Sequence, residues 1–460
     1  MANHLSAHQA IQRGMVHTAV LAGGFGSRLD AATDPGRNRF AVAKPACTVG
    51  NLRIIEFTIR ALRKAGISDF HLLLCFLPET IRQVVGNGKI YGGNVTITES
   101  TQDITDPLDT ASVVGNLVNN SGWSKNPGDV IIVPSADIIH DVDISAALDQ
   151  HLFNRKQYGA CATIVSNAVP WSSVDRFGTM RLEGMPERQD YKNDLEFEDA
   201  VGAWLTEHSA SSAKILEFKE KARRGAALSN LNNSSLYFFD ASLFELILPL
   251  LTKDEKGPPL VPEIFQPGGP SPFSDWGRHV FMWLTHEARR NQYPVFTYVM
   301  PDRSYWRDAG IGEELRLASM DVLTGKIDSG IKEGEGAFWF PIGDNSWRGH
   351  NVFVHPSAYV ANSLIGDNVS IGPGATVEHS VIGSNAHLEA KVGLRRTVVF
   401  HQRDPQFSTL IGTGSQLTDS LVLGGKIIPG SRFNGAMLYD PVGGVATGSL
   451  GGKTQFSPAR

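Results

Sequence analysis

The sequence predicts two domains, an α/β domain on a mostly parallel sheet followed by a parallel β-helix. Three observations carry that expectation. The chain has 460 residues, more than one hydrophobic core usually serves. From Val16 to about Met320, apolar runs alternate with helical patterns. Beyond about Phe338 the helical period largely stops, and an aliphatic residue recurs about every six positions, often followed by glycine. Strands alternating with helices give βαβ units and a Rossmann-like sheet with helices on both faces. A hexapeptide period gives a coil in which three short strands make each turn.

Taken in order, VHTAVL (16–21) reads as a buried strand. IIEFTIRALRKAG (54–66) is helical, because Ile55, Ile59, Leu62 and Ala65 or Gly66 recur near the helical period. FHLLLCF (70–76), DVIIVPSAD (129–137), GACATIVSN (159–167), SSLYFFD (234–240) and VFTYVMP (295–301) read as further strands. In the second domain the pairs Ile365-Gly366, Ile371-Gly372, Ile382-Gly383 and Val392-Gly393 mark the coil, with Ile411-Gly412 and Leu423-Gly424 after a break. That break, VFHQRDPQFST (399–409), is expected to protrude as a loop. Four segments follow: a flexible tail (1–14), the α/β domain (15–330), the β-helix (331–440) and a Gly- and Ser-rich flexible tail (441–460).

Composition narrows the function. Apolar residues make up 42%, enough to fill two cores. A net charge of −5 argues against a nucleic-acid binder, which would carry a basic surface, yet leaves room for a local basic pocket. Cys47, Cys75 and Cys161 are too far apart for a zinc motif or a disulfide framework and read as small buried residues. The N-terminal stretch lacks the apolar core of a signal peptide, and no apolar run is long enough to cross a bilayer. A cytoplasmic setting without membrane contact is expected.

The strongest local feature is LAGGFGSRL (21–29), directly after the first strand. Leu21 and Ala22 lead into Gly23, Gly24 and Gly26, which permit a tight turn whose backbone N–H groups face an anion. Arg28 can reach the same phosphates with a planar fork of donors. No Lys-Ser/Thr follows the glycines, so this is not a Walker A loop. Leu29 in place of a third glycine separates it from the dinucleotide fingerprint. Lys44-Pro45 follows after a polar loop, just before RIIEF (53–57).

LAGGFGSRL followed by AKPACTVGNLRIIEF (43–57) resembles the N-terminal region of the ADP-glucose pyrophosphorylases, within the wider sugar nucleotide pyrophosphorylase family. The resemblance runs from about Val16 to about Gly430, and YWRDAG (305–310) adds to it. It implies a nucleotidyltransferase domain joined to a left-handed β-helix. It implies transfer of a nucleotidyl group from a nucleoside triphosphate to a sugar 1-phosphate, with ATP and glucose 1-phosphate as the expected pair, and Mg²⁺ as cofactor. A homotetramer and a small-molecule effector near the domain boundary come with it; Arg395 and Arg396 would suit a phosphorylated effector or form a surface pair.

Asp137 and Asp308 each follow a strand, where ligands of open α/β sheets bind. They match the family's metal-binding aspartates and could share one Mg²⁺ with phosphate oxygens, although either could cap a helix or turn. Asp141 and Asp302 read as turn residues. On the sugar side, EFKEKA (217–222) resembles the family's Glu-Lys-Pro motif with Ala222 in place of proline. Carried over, Glu220 would accept hydrogen bonds from sugar hydroxyls and Lys221 would neutralise the sugar phosphate. Gly178 resembles the family's sugar-side glycine, and Ser235 stands where glycine is usual. LDTASVV (108–114) departs from the family's Gly-Thr-Ala: Asp109 replaces the glycine, with Thr110 and Ala111 retained. A carboxylate there could read a hydroxyl or an amine, or block the usual substrate. Two rival expectations therefore stand: the same chemistry with GTP and mannose 1-phosphate, or UTP or dTTP and glucose 1-phosphate; and a non-catalytic regulatory subunit.

Overall fold

A computed structural model of the chain describes residues 5–36, 38–92, 94–208, 212–251, 273–330, 340–402, 408–440, 446–449 and 457–458. Helix α1 (Ala7–Gln12) precedes strand β1 (Val16–Leu21), helix α2 (Ile54–Lys64) and strands β2 (Asp69–Leu74) and β3 (Thr96–Thr101). Helix α3 (Thr110–Ser121), β4 (Val130–Pro134), β5 (Ile138–His140) and helix α4 (Ile144–Tyr158) come next. Then follow β6 (Ala162–Ala168), β7 (Gly178–Leu182), β8 (Ser212–Glu220), β9 (Leu231–Asp240), β10 (Val295–Val299), β11 (Trp306–Asp308) and helix α5 (Gly312–Leu323).

Nine strands form one sheet in the order β3-β2-β1-β4-β9-β6-β10-β8-β7. The sheet is mixed where a mostly parallel one was expected. Strands β3, β2, β1 and β4 run parallel, and β6 runs parallel to β10. Strand β9 is antiparallel to both β4 and β6, and β8 is antiparallel to β7 and β10. Periodicity marked β9 as a strand but carries no direction, so this reversal was hidden in the sequence. The parallel half positions the chemistry. Its carboxyl ends align, so the chain leaving β1 enters the glycine loop beside the chain leaving β4. Ala136 N–H donates to Leu21 O at 2.8 Å, which fixes that juxtaposition. A two-stranded sheet then pairs β5 with β11, setting Asp308 opposite Ile138 and so beside Asp137.

The first residues also differ from expectation. Residues 7–12 form a helix rather than a loose tail. Ser6 and Gln9 make a reciprocal capping box, with Gln9 N–H donating to Ser6 Oγ at 3.3 Å and Ser6 N–H to Gln9 Oε1 at 3.0 Å. Buried Ala7 and Ala10 dock on α4, and Ala7 N–H donates to Asp149 Oδ1 at 2.5 Å. A helix this short has almost no periodic signal; its small residues gain burial only once α4 exists.

From Trp347 the chain winds through three parallel sheets, the arrangement of a β-helix. Consecutive coils are offset by 17 residues, as in Leu364↔Val381 and Val381↔Val398. Glycines follow the aliphatic residues because coils touch at the corners. A Cβ on Gly366, Gly372, Gly383 or Gly412 would lie 2.3–2.8 Å from the backbone of the next coil. Asn351, Asn368 and Asn385 adopt positive φ at another corner and form a side-chain ladder at 2.9 and 3.0 Å. At the expected break the offset widens, Val398 pairing with Leu421; residues 403–407 of that loop lie outside the described residues. So does the expected boundary at 331, and most of the expected C-terminal tail. Within the tail, Ala446–Ser449 pairs antiparallel with Ala436–Tyr439 rather than standing free.

The two domains share a core. Leu29, Cys47, Ile54 and Ala309 of the first pack in one buried cluster with Leu364, Val381, Val398 and Leu421 of the β-helix. Buried Cys47 and Cys75 and half-buried Cys161 are free thiols. No helix among the described residues is long and apolar enough to cross a membrane.

Candidate active site

The glycine loop, the start of α3 and the chain after β4 enclose a cavity of about 300 Å³. Leu21, Ala22, Gly23, Gly24, Gly26, Lys44, Asp109, Thr110 and Asp137 line it, and Ala111 is buried behind them. Two of these glycines are set by backbone conformation and by space. Gly26 has φ +61°, and a Cβ on Gly23 would sit 3.0 Å from Cys75 Cβ. Leu73, Pro107, Leu108 and Val113 supply apolar walls, a lining suited to the flat face of a nucleobase.

At one side of this cavity Lys44 is held between two carboxylates. Its buried Nζ lies 2.9 Å from Asp137 Oδ2 and 2.8 Å from Asp308 Oδ1. Burial alone would push the ammonium toward losing its proton, but Asp137 and Asp308 outweigh it and hold the pKa above its ordinary value. Lys44 is therefore a fixed positive charge, not a base. Burial likewise raises Asp308, but Lys44, then Arg28 and Arg176, hold its carboxyl below the usual carboxylate range. Arg28 and Arg176 each place Nη2 3.3 Å from Asp308 Oδ2. Ser135 Oγ donates to Asp137 Oδ1 at 2.6 Å and orients it. Asp137 and Asp308 thus converge on the Lys44 ammonium. Two carboxylates and room for phosphate oxygens are the donor set Mg²⁺ uses. Among the described residues no cluster of three or more His, Cys, Asp or Glu offers a fuller protein cage.

The sugar-side candidates gather on β7, β8 and β9, apart from the cavity lining. Glu220 ends β8, and its carboxylate presses on Gly178: a Cβ there would lie 2.7 Å from Glu220 Oε2 and 2.4 Å from Phe218 Cζ. Burial raises the Glu220 pKa, opposed by Lys221, whose Nζ is 3.7 Å away. Lys221 N–H donates to Phe177 O at 3.0 Å. Ser235 has φ +62°, which explains why glycine suits this position, and its carbonyl accepts from Ser135 N–H at 2.9 Å. That bond links the sugar side to the Asp137 loop.

Asp109 precedes α3 without capping it. Its Oδ2 accepts from Ser274 Oγ at 2.7 Å, and Arg278 Nη2 is 3.7 Å from Oδ1. Ser274 O instead accepts from Ala111 and Ser112 N–H at 2.9 and 3.1 Å, and Thr110 Oγ1 donates to Asp275 Oδ2 at 3.1 Å. The segment Phe273–Phe281 is thus fastened across the start of α3, and it also reaches Glu220, whose Oε2 would lie 2.6 Å from a Cβ on Gly277. Sequence reasoning missed this segment because it lacks a strand or helix period of ordinary length; its Asp-x-Gly-Arg composition was the available signal. Arg176 was missed as well, although it directly precedes Phe177-Gly178. Asp141 behaves as the turn residue expected, accepting from Tyr305 N–H at 2.7 Å. Arg396 is paired with Asp419 at 2.5 Å.

Comparison with known proteins gives the family of the chain. A family model described as nucleotidyl transferase matches residues 17–325. A glucose-1-phosphate adenylyltransferase of Desulforamulus reducens is 26% identical over 363 residues, covering 77% of this chain and 73% of that one. The enzymes of the same name from Bacillus cytotoxicus and Geobacillus stearothermophilus are 25% and 26% identical, each over 75% of this chain and over 77% and 75% of theirs.

Proposed function

The chain belongs to the nucleotidyl transferase family, and from that premise we propose that it joins a sugar 1-phosphate to a nucleotide, taking ATP and glucose 1-phosphate to ADP-glucose and pyrophosphate. The observation that carries this reading is Lys44, an ammonium fixed between Asp137 and Asp308 beside a cavity lined by the glycine loop.

An oxygen of the sugar phosphate attacks the α-phosphorus, a new P–O bond forms, and the bond to the pyrophosphate oxygen breaks in line. Such a transfer needs positioning and neutralisation of charge more than covalent help. The glycine-loop backbone and Arg28 hold the departing pyrophosphate. Lys44 keeps its proton and offsets charge on the transferring phosphoryl oxygens. Glu220 accepts from sugar hydroxyls, and Lys221 anchors the sugar phosphate. Asp137 and Asp308 would hold Mg²⁺, which when bound neutralises phosphate charge.

The same reading takes in a left-handed coil for the β-helix, a cytoplasmic homotetramer and a small-molecule effector near the domain boundary. A cavity of about 460 Å³ between the domains, lined by Phe40, Arg53, His401 and Gln402, supports the last. The test is Mg²⁺-dependent pyrophosphate release across ATP, GTP, UTP, CTP and dTTP with several sugar 1-phosphates. A signal led by ATP with glucose 1-phosphate is expected. A different leading pair would overturn the specificity, and silence from folded protein would overturn the transferase reading.

A further inference from the structure

We infer that Arg176 is a binding residue for the sugar phosphate, the counterpart of Arg28 on the triphosphate side. The inference rests on the transferase reading above and deepens it. Two guanidinium groups reach the same oxygen of Asp308. Arg28 comes from the turn after β1, and Arg176 from the turn leading into β7. Each makes one contact of 3.3 Å to Asp308 Oδ2, long for a charge-assisted bond and without the paired geometry a guanidinium favours. Among the described residues Arg176 hydrogen-bonds to Asp308 alone, with Glu314 at 3.7 Å. Most of its five donors are therefore available, and 29% of the side chain is exposed.

Its placement states which phosphate those donors meet. Phe177, the next residue, carries the carbonyl that holds Lys221 N–H, and Gly178 lies against the Glu220 carboxylate. The guanidinium lies over the Phe177 ring, 5.2 Å from its centroid, and that ring meets Trp306 edge-on at 5.3 Å. This contact holds the guanidinium over the residue whose carbonyl accepts from Lys221 N–H, at one end, and against Asp308 at the other. An attacking sugar phosphate must bridge the same interval, with its sugar at Glu220 and its reactive oxygen near the Lys44–Asp308 pair. A purely structural Arg176 would instead serve as a brace between Asp308 and Glu314, so Glu314 provides the control.

The experiment is forward kinetics on the full chain for the wild type, Arg176→Ala, Arg176→Lys and Glu314→Gln, with thermal melts to verify folding. The KM for glucose 1-phosphate should rise about 10- to 100-fold in Arg176→Ala, while the KM for ATP stays within about 2-fold. Arg176→Lys should recover part of the loss, because charge remains and the fork does not. Glu314→Gln should leave the KM for glucose 1-phosphate within about 3-fold. Equal rises in both KM values, a fall in kcat alone, or the same defect in Glu314→Gln would overturn the inference. If the wild type is silent with every substrate pair, the transferase reading fails by itself. Calorimetric binding of glucose 1-phosphate then decides on Arg176: binding that Arg176→Ala loses keeps the inference, and equal or absent binding overturns it.

Discussion

Replacing Lys44 with Met removes one charge at nearly constant volume and tests the centre of the site. In the wild type the lysine side chain is 6% exposed and Asp308 7%, so this pair is buried; Asp137 is 38% exposed and can recruit water. Breaking a buried pair by removing one partner costs about 3–5 kcal/mol. Asp137 should add little, as exposed ion pairs do. Arg28 and Arg176 remain on Asp308, although each only at 3.3 Å. The expected loss is therefore about 2–3 kcal/mol at pH 7.5, just below that range. The sign with pH follows from Asp308. In the wild type its depressed pKa contributes stability that is present above the unfolded value near 3.9 and is lost as pH falls through the folded value. In the variant the leading upward influence, burial, has lost its main opponent. The carboxyl can then take up a proton more readily, so the penalty should shrink toward pH 4.5. Urea unfolding at both pH values measures it. A penalty below about 1 kcal/mol, or one independent of pH, would refute the claim that Lys44 and Asp308 form a desolvated pair. Turnover should fall by about 10²- to 10³-fold in the same variant.

Asp137→Asn should lower Mg²⁺-dependent turnover strongly while leaving the melting temperature nearly unchanged, since this side chain is partly solvated; retained activity in the folded variant would remove Asp137 from the metal assignment. Asp109→Gly deletes one of the bonds that hold Ser274, so the KM for glucose 1-phosphate should rise about 3- to 10-fold with the preference among nucleotides unchanged; a switch of base preference would show instead that Asp109 reads the base. Burial lowers the pKa of His140 to about 4, and neither ring nitrogen has a partner among the described residues. The unfolded chain then binds the extra proton between about pH 6.5 and 4, so stability should decline as pH falls through that window, by roughly 2 kcal/mol at pH 5. His140→Leu should flatten the slope of unfolding free energy against pH, and an unchanged slope would contradict the burial argument.

The legible parts of this chain are those where one short stretch determines its own role. LAGGFGSRL states the end of a strand, a turn and a cation in nine residues. The six-residue period states the β-helix because each coil repeats the same inward aliphatic and the same crowded glycine corner. What stayed hidden depends on partners distant in sequence. Strand β9 runs antiparallel because of where β4 and β6 lie, not because of its own composition. Ser235 stands where glycine is usual, and only its positive φ in the fold supplies the reason for that usage. Asp109 was open to several readings because its partners, Ser274 and Arg278, stand some 165 residues later. Arg176 is one of many arginines until the fold carries it to Asp308.

The shared core between the domains has a consequence for cooperativity. Leu29 and Ala309, buried beside Leu364, Val381 and Leu421, are the immediate chain neighbours of Arg28 and Asp308. The face of the coil is thus the floor on which the phosphate-handling residues stand. Unfolding of the coil would strip apolar cover from both residues' supports at once, so the two architectures should melt as one unit. For the same reason the coil cannot be treated as a detachable module. A chain ending before it would carry every site residue and still lack the surface that keeps them in register.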